Sequence, residues 1–254
     1  MQGLLRWSVV GLALCAAGIA TADDAPPPQG WSGKGELGFV DAKGNTNADT
    51  FDAKLGLADQ VGPWKHSLAV DVLEAKTSGV TSANRKDATF QSNYDLTKAS
   101  FVFGSVAYVD DQFSGFAYQA NVTGGYGRKF IDTAATKFTV QLGIGYGQLQ
   151  PETPVTNSSG VVIGETKLAK ENAGVVQGEA KFEHAFTATT KLLEDLKVTY
   201  ADVNTYIQND LALQVKISTK LALSVAYGVR HNTDPPPGTK STDTLSTVNL
   251  VYAF

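Results

Sequence analysis

The sequence predicts an all-β fold, a transmembrane antiparallel up-and-down β-barrel of about twelve strands and of the outer-membrane type. Three observations carry this expectation. Beyond residue 30 the chain breaks into segments in which apolar and polar residues alternate with period two. The connections between the segments alternate between short and long, as in barrels with tight turns at one rim and extended loops at the other. On the apolar phase, aromatic residues gather at segment ends and aliphatic residues between them, the distribution that the two faces of a bilayer select. A soluble sandwich has no reason to sort its connections by length, and its aromatics would sit mid-strand where burial is deepest.

The N-terminus sets the compartment. Arg6 precedes an apolar run from Trp7 to Ala20, and Ala20-Thr21-Ala22 is a small-residue cleavage pattern. Residues 1–22 therefore read as a removed secretory signal, 23–30 with Pro26, Pro27 and Pro28 as a stiff spacer, and 31–254 as the barrel. Cys15 is the sole cysteine of the sequence and lies inside the signal, which excludes disulfides and thiolate metal sites from the mature chain. Removing Arg6 takes the formal charge from -4 to -5, with no basic block to attract nucleic acid. After the signal no apolar run approaches the roughly 18 residues of a spanning helix, so membrane residence requires a closed barrel.

The segments follow in order. Trp31, Gly33, Gly35, Leu37 and Phe39 take one phase against Ser32, Lys34 and Glu36; residues 41–49 are polar loop; Phe51, Ala53, Leu55 and Leu57 return against Asp52 and Lys54. A turn at 60–63 leads to Leu68, Val70 and Val72, with Asp71 opposite, and residues 76–86 read as loop. Ala88, Phe90, Tyr94 and Leu96 come back against Asp87, Gln91, Asn93 and Asp95. Residues 101–109 are apolar on both faces, which leaves their register open. Tyr118, Val122 and Tyr126 descend against Gln119, Asn121 and Thr123, and Phe138, Val140, Leu142, Ile144 and Tyr146 ascend to the longest loop, 150–172. Val176, Ala180, Phe182 and Phe186 oppose Gln177, Glu179, Lys181 and Glu183; Leu196, Val198 and Tyr200 oppose Lys197 and Thr199. Leu211, Leu213, Val215 and Ile217 oppose Asp210, Gln214 and Lys216, and Leu221, Leu223, Val225, Tyr227 and Val229 oppose Ser224 and Arg230.

The last segment, 242–254, places Thr244, Ser246, Val248, Leu250, Tyr252 and Phe254 on one face and Asp243, Thr247 and Asn249 on the other. Val248, Leu250, Tyr252 and the terminal Phe254 resemble the C-terminal assembly signal by which insertion machinery recognises outer-membrane barrels. On the outward phase Trp64, Tyr94, Phe101, Phe130, Phe138, Phe186, Tyr252 and Phe254 fall at the short-turn ends, and Tyr118, Tyr146, Tyr200 and Tyr206 at the long-loop ends.

Four stretches together carry a family resemblance: Trp31-Ser32-Gly33-Lys34-Gly35-Glu36-Leu37-Gly38, Gly44-Asn45-Thr46-Asn47, Asp111-Gln112-Phe113-Ser114-Gly115-Phe116, and Arg230-His231-Asn232-Thr233-Asp234-Pro235-Pro236-Pro237-Gly238. The mature chain resembles the salt-induced, acid-inducible outer-membrane protein family, whose biochemical activity is unknown. The resemblance implies an outer-membrane barrel and a link to envelope stress. It brings no catalytic or ligand residue with it.

The residues themselves point away from catalysis. Residues 33–38 match a dinucleotide fingerprint as a string, but the glycines lie inside an alternating strand with a loop after it, where the fingerprint needs a helix N-terminus. His66 and His184 fall near short turns, and His231, near Asn232 and Asp234, reads as a rim histidine; an outer-membrane hydrolase using His231 is the enzymatic alternative. The Asp41, Asn45, Asn47, Asp49 loop lacks the glycine and closing glutamate of a calcium loop. Gly143, Gly145 and Gly147 share the inward face as small residues that leave space or bend the strand. No metal or cofactor is expected.

The lumen-facing candidates are Lys34, Glu36, Asp52, Lys54, Asp71, Asp87, Glu179, Lys181, Glu183, Lys197, Asp210, Lys216, Arg230 and Asp243. Summed over the whole interior neither sign dominates, which disfavours a channel dedicated to acidic sugars or phosphate. A twelve-stranded wall has a backbone diameter of roughly 24 Å, and side chains leave on the order of 10 Å. The interior therefore reads either as a narrow, weakly selective pore or as a salt-bridged plug. Outer-membrane lipid, lipopolysaccharide and the insertion machinery are the expected partners of a monomer; a non-conducting barrel whose loops bind a ligand is the other alternative.

Overall fold

The computed structural model of the chain describes residues 29–42, 48–77, 80–112, 114–156, 162–237 and 239–254. The signal peptide and nearly all of the spacer lie outside the described residues, as does the Gly44-Asn45-Thr46-Asn47 stretch. Thirteen strands run in chain order: β1 (Gly30–Ala42), β2 (Ala48–Val61), β3 (Trp64–Thr77), β4 (Val80–Thr97), β5 (Ser100–Asp111), β6 (Phe116–Asp132), β7 (Thr136–Thr156), β8 (Val162–Lys167), β9 (Glu171–Ala185), β10 (Thr190–Tyr200), β11 (Tyr206–Lys216), β12 (Leu221–Asn232) and β13 (Thr242–Ala253). Each wall strand pairs antiparallel with its sequence neighbours, β7 joins β9 directly, and β13 returns to β1. Because β8 pairs only with the far end of β7, twelve strands close the wall, the number the sequence predicts.

Period-two alternation becomes an inside and an outside because paired residues share a face. Leu37 stands opposite Ala53 and Leu250, Leu55 opposite Val70, and Leu68 opposite Phe90 on the outer surface. That surface is apolar: Trp31, Leu37, Ile144 and Ile217 are each more than 60% exposed. The turns at 62–63, 98–99, 133–135, 186–189 and 217–220 share one rim with both chain ends, where Phe254 exchanges backbone hydrogen bonds of 2.8 and 2.9 Å with Gly33. Gly62 supplies the first turn with a φ of 57° that a side chain rarely adopts.

Several expectations are corrected. Residues 76–86 are not a loop: β3 continues to Thr77 and β4 begins at Val80, so Ala83 and Arg85 keep phase with Asp87. Residues 150–172 hold a hairpin in which β7 overruns the wall to Thr156 and pairs with β8. The open register of β5 resolves with Phe101 and Phe103 inward and buried, so Phe101 leaves the outer aromatic belt. Glycines opposite make this possible: a Cβ at Gly127 would collide with the Phe101 ring, and one at Gly143 would lie 2.8 Å from Phe103 Cζ. Tyr206 is likewise inside and buried rather than on the long-loop belt.

Candidate functional site

The inner wall is the site, and pairing fixes which side chains share it. Lys54 stands between Glu36 and Asp71, Asp71 faces Asp87, Glu179 faces Lys197, Lys181 faces Asp195, and Arg230 faces Asp243. Lys34, Asp52, Glu183, Asp210 and Lys216 occupy the same inward phase, opposite Gly56, Leu73, Leu193, Asp195 and Ala222. These residues do not converge on one point. They divide into tiers along the barrel axis.

The middle tier is a chain of ion pairs. Lys54 Nζ lies 3.8 Å from Asp52 and 3.5 Å from Asp71, and Arg85 lies 3.5 Å from Asp71 and 2.9 Å from Asp87. Asn249 Nδ2 donates to Asp52 Oδ2 at 2.7 Å, reaching from β13 to β2 past β1. Gly38 on β1 permits that reach, since a Cβ there would collide with Asn249 Oδ1. Across the lumen Arg230 donates to both oxygens of Asp210 at 2.9 Å and to the carbonyls of Asn209 and Val229 at 3.2 and 3.0 Å. Nη2 serves both carboxylate oxygens and Nη1 both carbonyls, so the guanidinium is held in position from two sides. Four carboxylates, Asp52, Asp71, Asp87 and Asp210, here meet three cations, Lys54, Arg85 and Arg230, and their ion pairs brace the wall.

The tier toward the short turns is built from amides and lysines. Gln91 and Gln141 exchange hydrogen bonds of 3.1 Å, spanning β5 and β6, and Gln141 also donates to Glu179. Glu179 lies 3.0 Å from Lys181, which lies 3.2 Å from Asp195. Lys129 pairs with Asp95 at 3.4 Å, Lys191 with Glu183 at 3.3 Å, and Lys34 with Glu36 at 3.0 Å. Lys65 and Lys137 complete this tier.

At the opposite rim the connection 201–205 folds inward. Buried Asn204 donates to Asn232 Oδ1 at 2.7 Å and to Gln119 Oε1 at 3.3 Å, and accepts from the Asp234 amide at 3.2 Å. Gln119 and Asn232 belong to β6 and β12, nearly opposite each other around the wall, so this trio ties the mouth across its width. Ala201 and Val203 pack on Ala173 and Val175 of β9, and Tyr206 lies buried below. The connection 233–241 folds onto the turn between β5 and β6: a Cβ at Gly115, whose φ is 80°, would lie 2.7 Å from Thr239 Oγ1 and 2.8 Å from Pro236 Cδ. Between cap and wall remains a cavity of about 40 Å³ lined by Gln119, Leu149, Val175, Val203, Asn204 and Tyr206.

The histidines sit elsewhere. His66 stacks between Trp64 and Phe90, with centroids at 5.9 and 6.4 Å, and His184 stands between Phe182 and Phe186, at 6.3 and 5.0 Å, on the outer face near the short turns. His231 Nδ1 lies 2.7 Å from the Thr242 hydroxyl, while Asp243 points to the other face.

Sequence reading missed Arg85, Lys65, Lys137, Asn204 and Tyr206. Arg85 shares the phase of Asp87 and was legible by continuing the alternation; Lys65 and Lys137 sit one step inside tight turns, where the alternation begins. Nothing in a polar connection marks Asn204 as a latch.

A closed twelve-stranded antiparallel barrel with an apolar exterior and an ion-paired interior is the class that fold and site together define. The chain belongs to the family described as "Protein of unknown function, DUF481", whose model matches residues 35–254. It is similar to the uncharacterized protein YdiY of Escherichia coli strain K12, at 23% identity over 235 residues, covering 91% of this chain and 86% of that protein. Among solved structures it is similar to an outer-membrane channel from Pseudomonas putida F1, with TM-score 0.47, 11% identity and coverage of 93% and 100%. It is similar also to the KdgM porin, with TM-score 0.45, 11% identity and coverage of 88% and 99%.

Proposed function

We propose that this protein is a narrow, weakly selective outer-membrane channel of a Gram-negative envelope, shut at its long-loop mouth by the Asn204 latch. The observation that carries the reading is the inversion of polarity: aliphatic and aromatic side chains cover the outside of a closed wall whose inside holds the ion pairs. Exposed to water, a continuous apolar surface of this extent is an aggregation liability; exposed to acyl chains it costs nothing. Aromatics at both rims support the same placement. Trp31, Trp64, Phe130, Phe186 and Phe254 are exposed toward the short turns, and Tyr108, Tyr146 and Tyr200 toward the long connections. Arg128 over Phe130 and Lys220 over Tyr252, at 5.7 and 5.9 Å, put cations at headgroup height.

In this reading residues 1–22 direct export and are removed, and the short turns face the periplasm. Val248, Leu250, Tyr252 and Phe254 present the outer face of β13 to the insertion machinery, and lipid and lipopolysaccharide surround a monomer. Catalysis and cofactors have no part in it. Induction by salt or acid, implied by the resemblance, concerns expression of the protein and is independent of the channel.

The test is single-channel recording of refolded residues 23–254 in a planar bilayer. The wild type is expected to show brief, small steps, Asn204→Ala prolonged ones, and Lys54→Met with Asp71→Asn an altered step size. Inserted protein that passes no current in any of the three forms sinks the channel reading.

A further inference from the structure

Between its two rims the outer wall carries a carboxylate. On β10 to β12 the outward phase is apolar from Leu192 to Tyr200, from Ile207 to Ile217 and from Leu221 to Val229, except at Glu194 and Asn209. Pairing fixes what surrounds them. Glu194 lies between Phe182 of β9 and Leu211 of β11, with Leu192 and Leu196 before and after it on its own face. Asn209 lies between Leu196 of β10 and Val229 of β12, with Ile207 and Leu211 on its own face. Leu196 and Leu211 are 39% and 38% exposed, so this part of the wall is outer surface. The two polar side chains meet there, Asn209 Nδ2 donating to Glu194 Oε1. Asn209 keeps a second N–H and Glu194 keeps Oε2, neither taken up among the described residues.

Acyl chains offer no hydrogen bond, and a carboxylate turned toward them destabilises a barrel. An ionisable group at membrane depth therefore marks a site, and its chemistry selects the occupant. One spare donor beside one spare acceptor is complementary to one spare acceptor beside one spare donor, which is the same surface turned through 180°. A two-fold axis along the membrane normal, passing among Glu194, Leu196, Asn209 and Leu211, sets Glu194 of each copy against Asn209 of the other at one depth. Two hydrogen bonds across the axis then join the two within the chains in a closed ring, with each carboxylate held between two amides. We infer that β10 and β11 form the interface of a two-fold dimer of this protein within the membrane. Such an isologous contact uses the patch up, so association ends at two copies. In lipid, where apolar surface alone gives no drive to associate, hydrogen bonds and packing decide. The inference rests on the membrane placement in the proposed function and not on conduction: each barrel keeps its own lumen, and the monomer of that reading becomes one half of a pair.

Sedimentation equilibrium of the refolded mature chain in density-matched nonionic detergent tests it, with insertion into lipid vesicles scored on the same batches. The wild type is expected to sediment as a dimer that dissociates on dilution. Glu194→Leu with Asn209→Leu suits the lipid face and leaves the inner wall untouched. It should weaken the dimer about a hundredfold, roughly tenfold for each hydrogen bond to a charged group. Exchanging the two residues, Glu194→Asn with Asn209→Glu, keeps a spare donor beside a spare acceptor and should restore wild-type association. Val70→Ala, on β3 at the far side of the ring, should sediment as the wild type does. Inserted wild type that stays monomeric at the highest loading, or a leucine double variant that dimerises as tightly as the wild type, overturns the inference alone. A mature chain that stays soluble and uninserted without detergent overturns the membrane placement and the inference together.

Discussion

The two mouths of the barrel are built on opposite principles. The long-loop mouth is closed by neutral amides, Asn204, Gln119 and Asn232, whose donors and acceptors satisfy one another across the opening. The short-turn mouth is lined by ion-paired lysines and carboxylates and has no chain folded over it among the described residues. Amide contacts are short-ranged, insensitive to salt and lost together when the connection swings out; lysine fields act over about 8 to 10 Å and weaken as salt rises. In the proposed channel the amide latch would govern opening and the charged mouth the response to salt, and a substitution at one should leave the other intact.

The most severe challenge to that separation is Asn204→Ala. Three hydrogen bonds disappear at about 1 kcal/mol each, so the closed–open equilibrium should shift roughly a hundredfold toward open. Open probability rising with the salt-gradient reversal potential unchanged is the expected result. Next comes Arg85→Met in the middle tier, which leaves Asp71 and Asp87 facing each other and should cost about 3 kcal/mol, discounted little because Arg85 is 7% exposed. Urea unfolding in lipid vesicles measures it, and Lys65→Met, by contrast, should stay within about 0.5 kcal/mol. Gly38→Ala pushes Asn249 off Asp52 and should cost about 1 to 2 kcal/mol by the same assay.

The smallest effect lies outside the wall, in the β7–β8 hairpin. Burial, and then the neighbouring Glu165, push the Glu152 carboxyl above its ordinary value of 4.5. A raised folded-state value means that protonation favours the folded hairpin: the contribution is full below 4.5 and is lost as pH rises through the raised value. Glu165→Gln removes the second cause. It should slow amide exchange across residues 162–167 at neutral pH and make no difference in acid.

Much of this was legible from alternation alone. Leu55, Val70 and Leu250 stand outside because Lys54, Asp71 and Asn249 beside them had to stand inside, and pairing copies that choice around the ring. Legibility failed where packing, not solvent, decided. Phe101 and Phe103 are as apolar as any belt residue, and the glycines at 127 and 143 on other strands make room for them inside. Arg85 was lost in a stretch whose polarity reads as loop although its phase was intact. The latch was invisible because Asn204 acts through Gln119 and Asn232, which lie 85 and 28 residues away.

The seam between the first and last strands has a mechanical meaning. β1 and β2 pair along their whole length, from Gly30↔Gln60 to Ala42↔Ala48, whereas β1 and β13 pair only from Lys34↔Ala253 to Gly38↔Asn249. Phe39 to Ala42 on one side and Thr242 to Val248 on the other run on without joining. The cylinder is thus a zip fastened over its short-turn part, with the Asn249–Asp52 hydrogen bond as the last tooth. Fewer ladder hydrogen bonds join β1 to β13 than join β1 to β2, so under lateral tension this seam is expected to part first, from its long-loop edge.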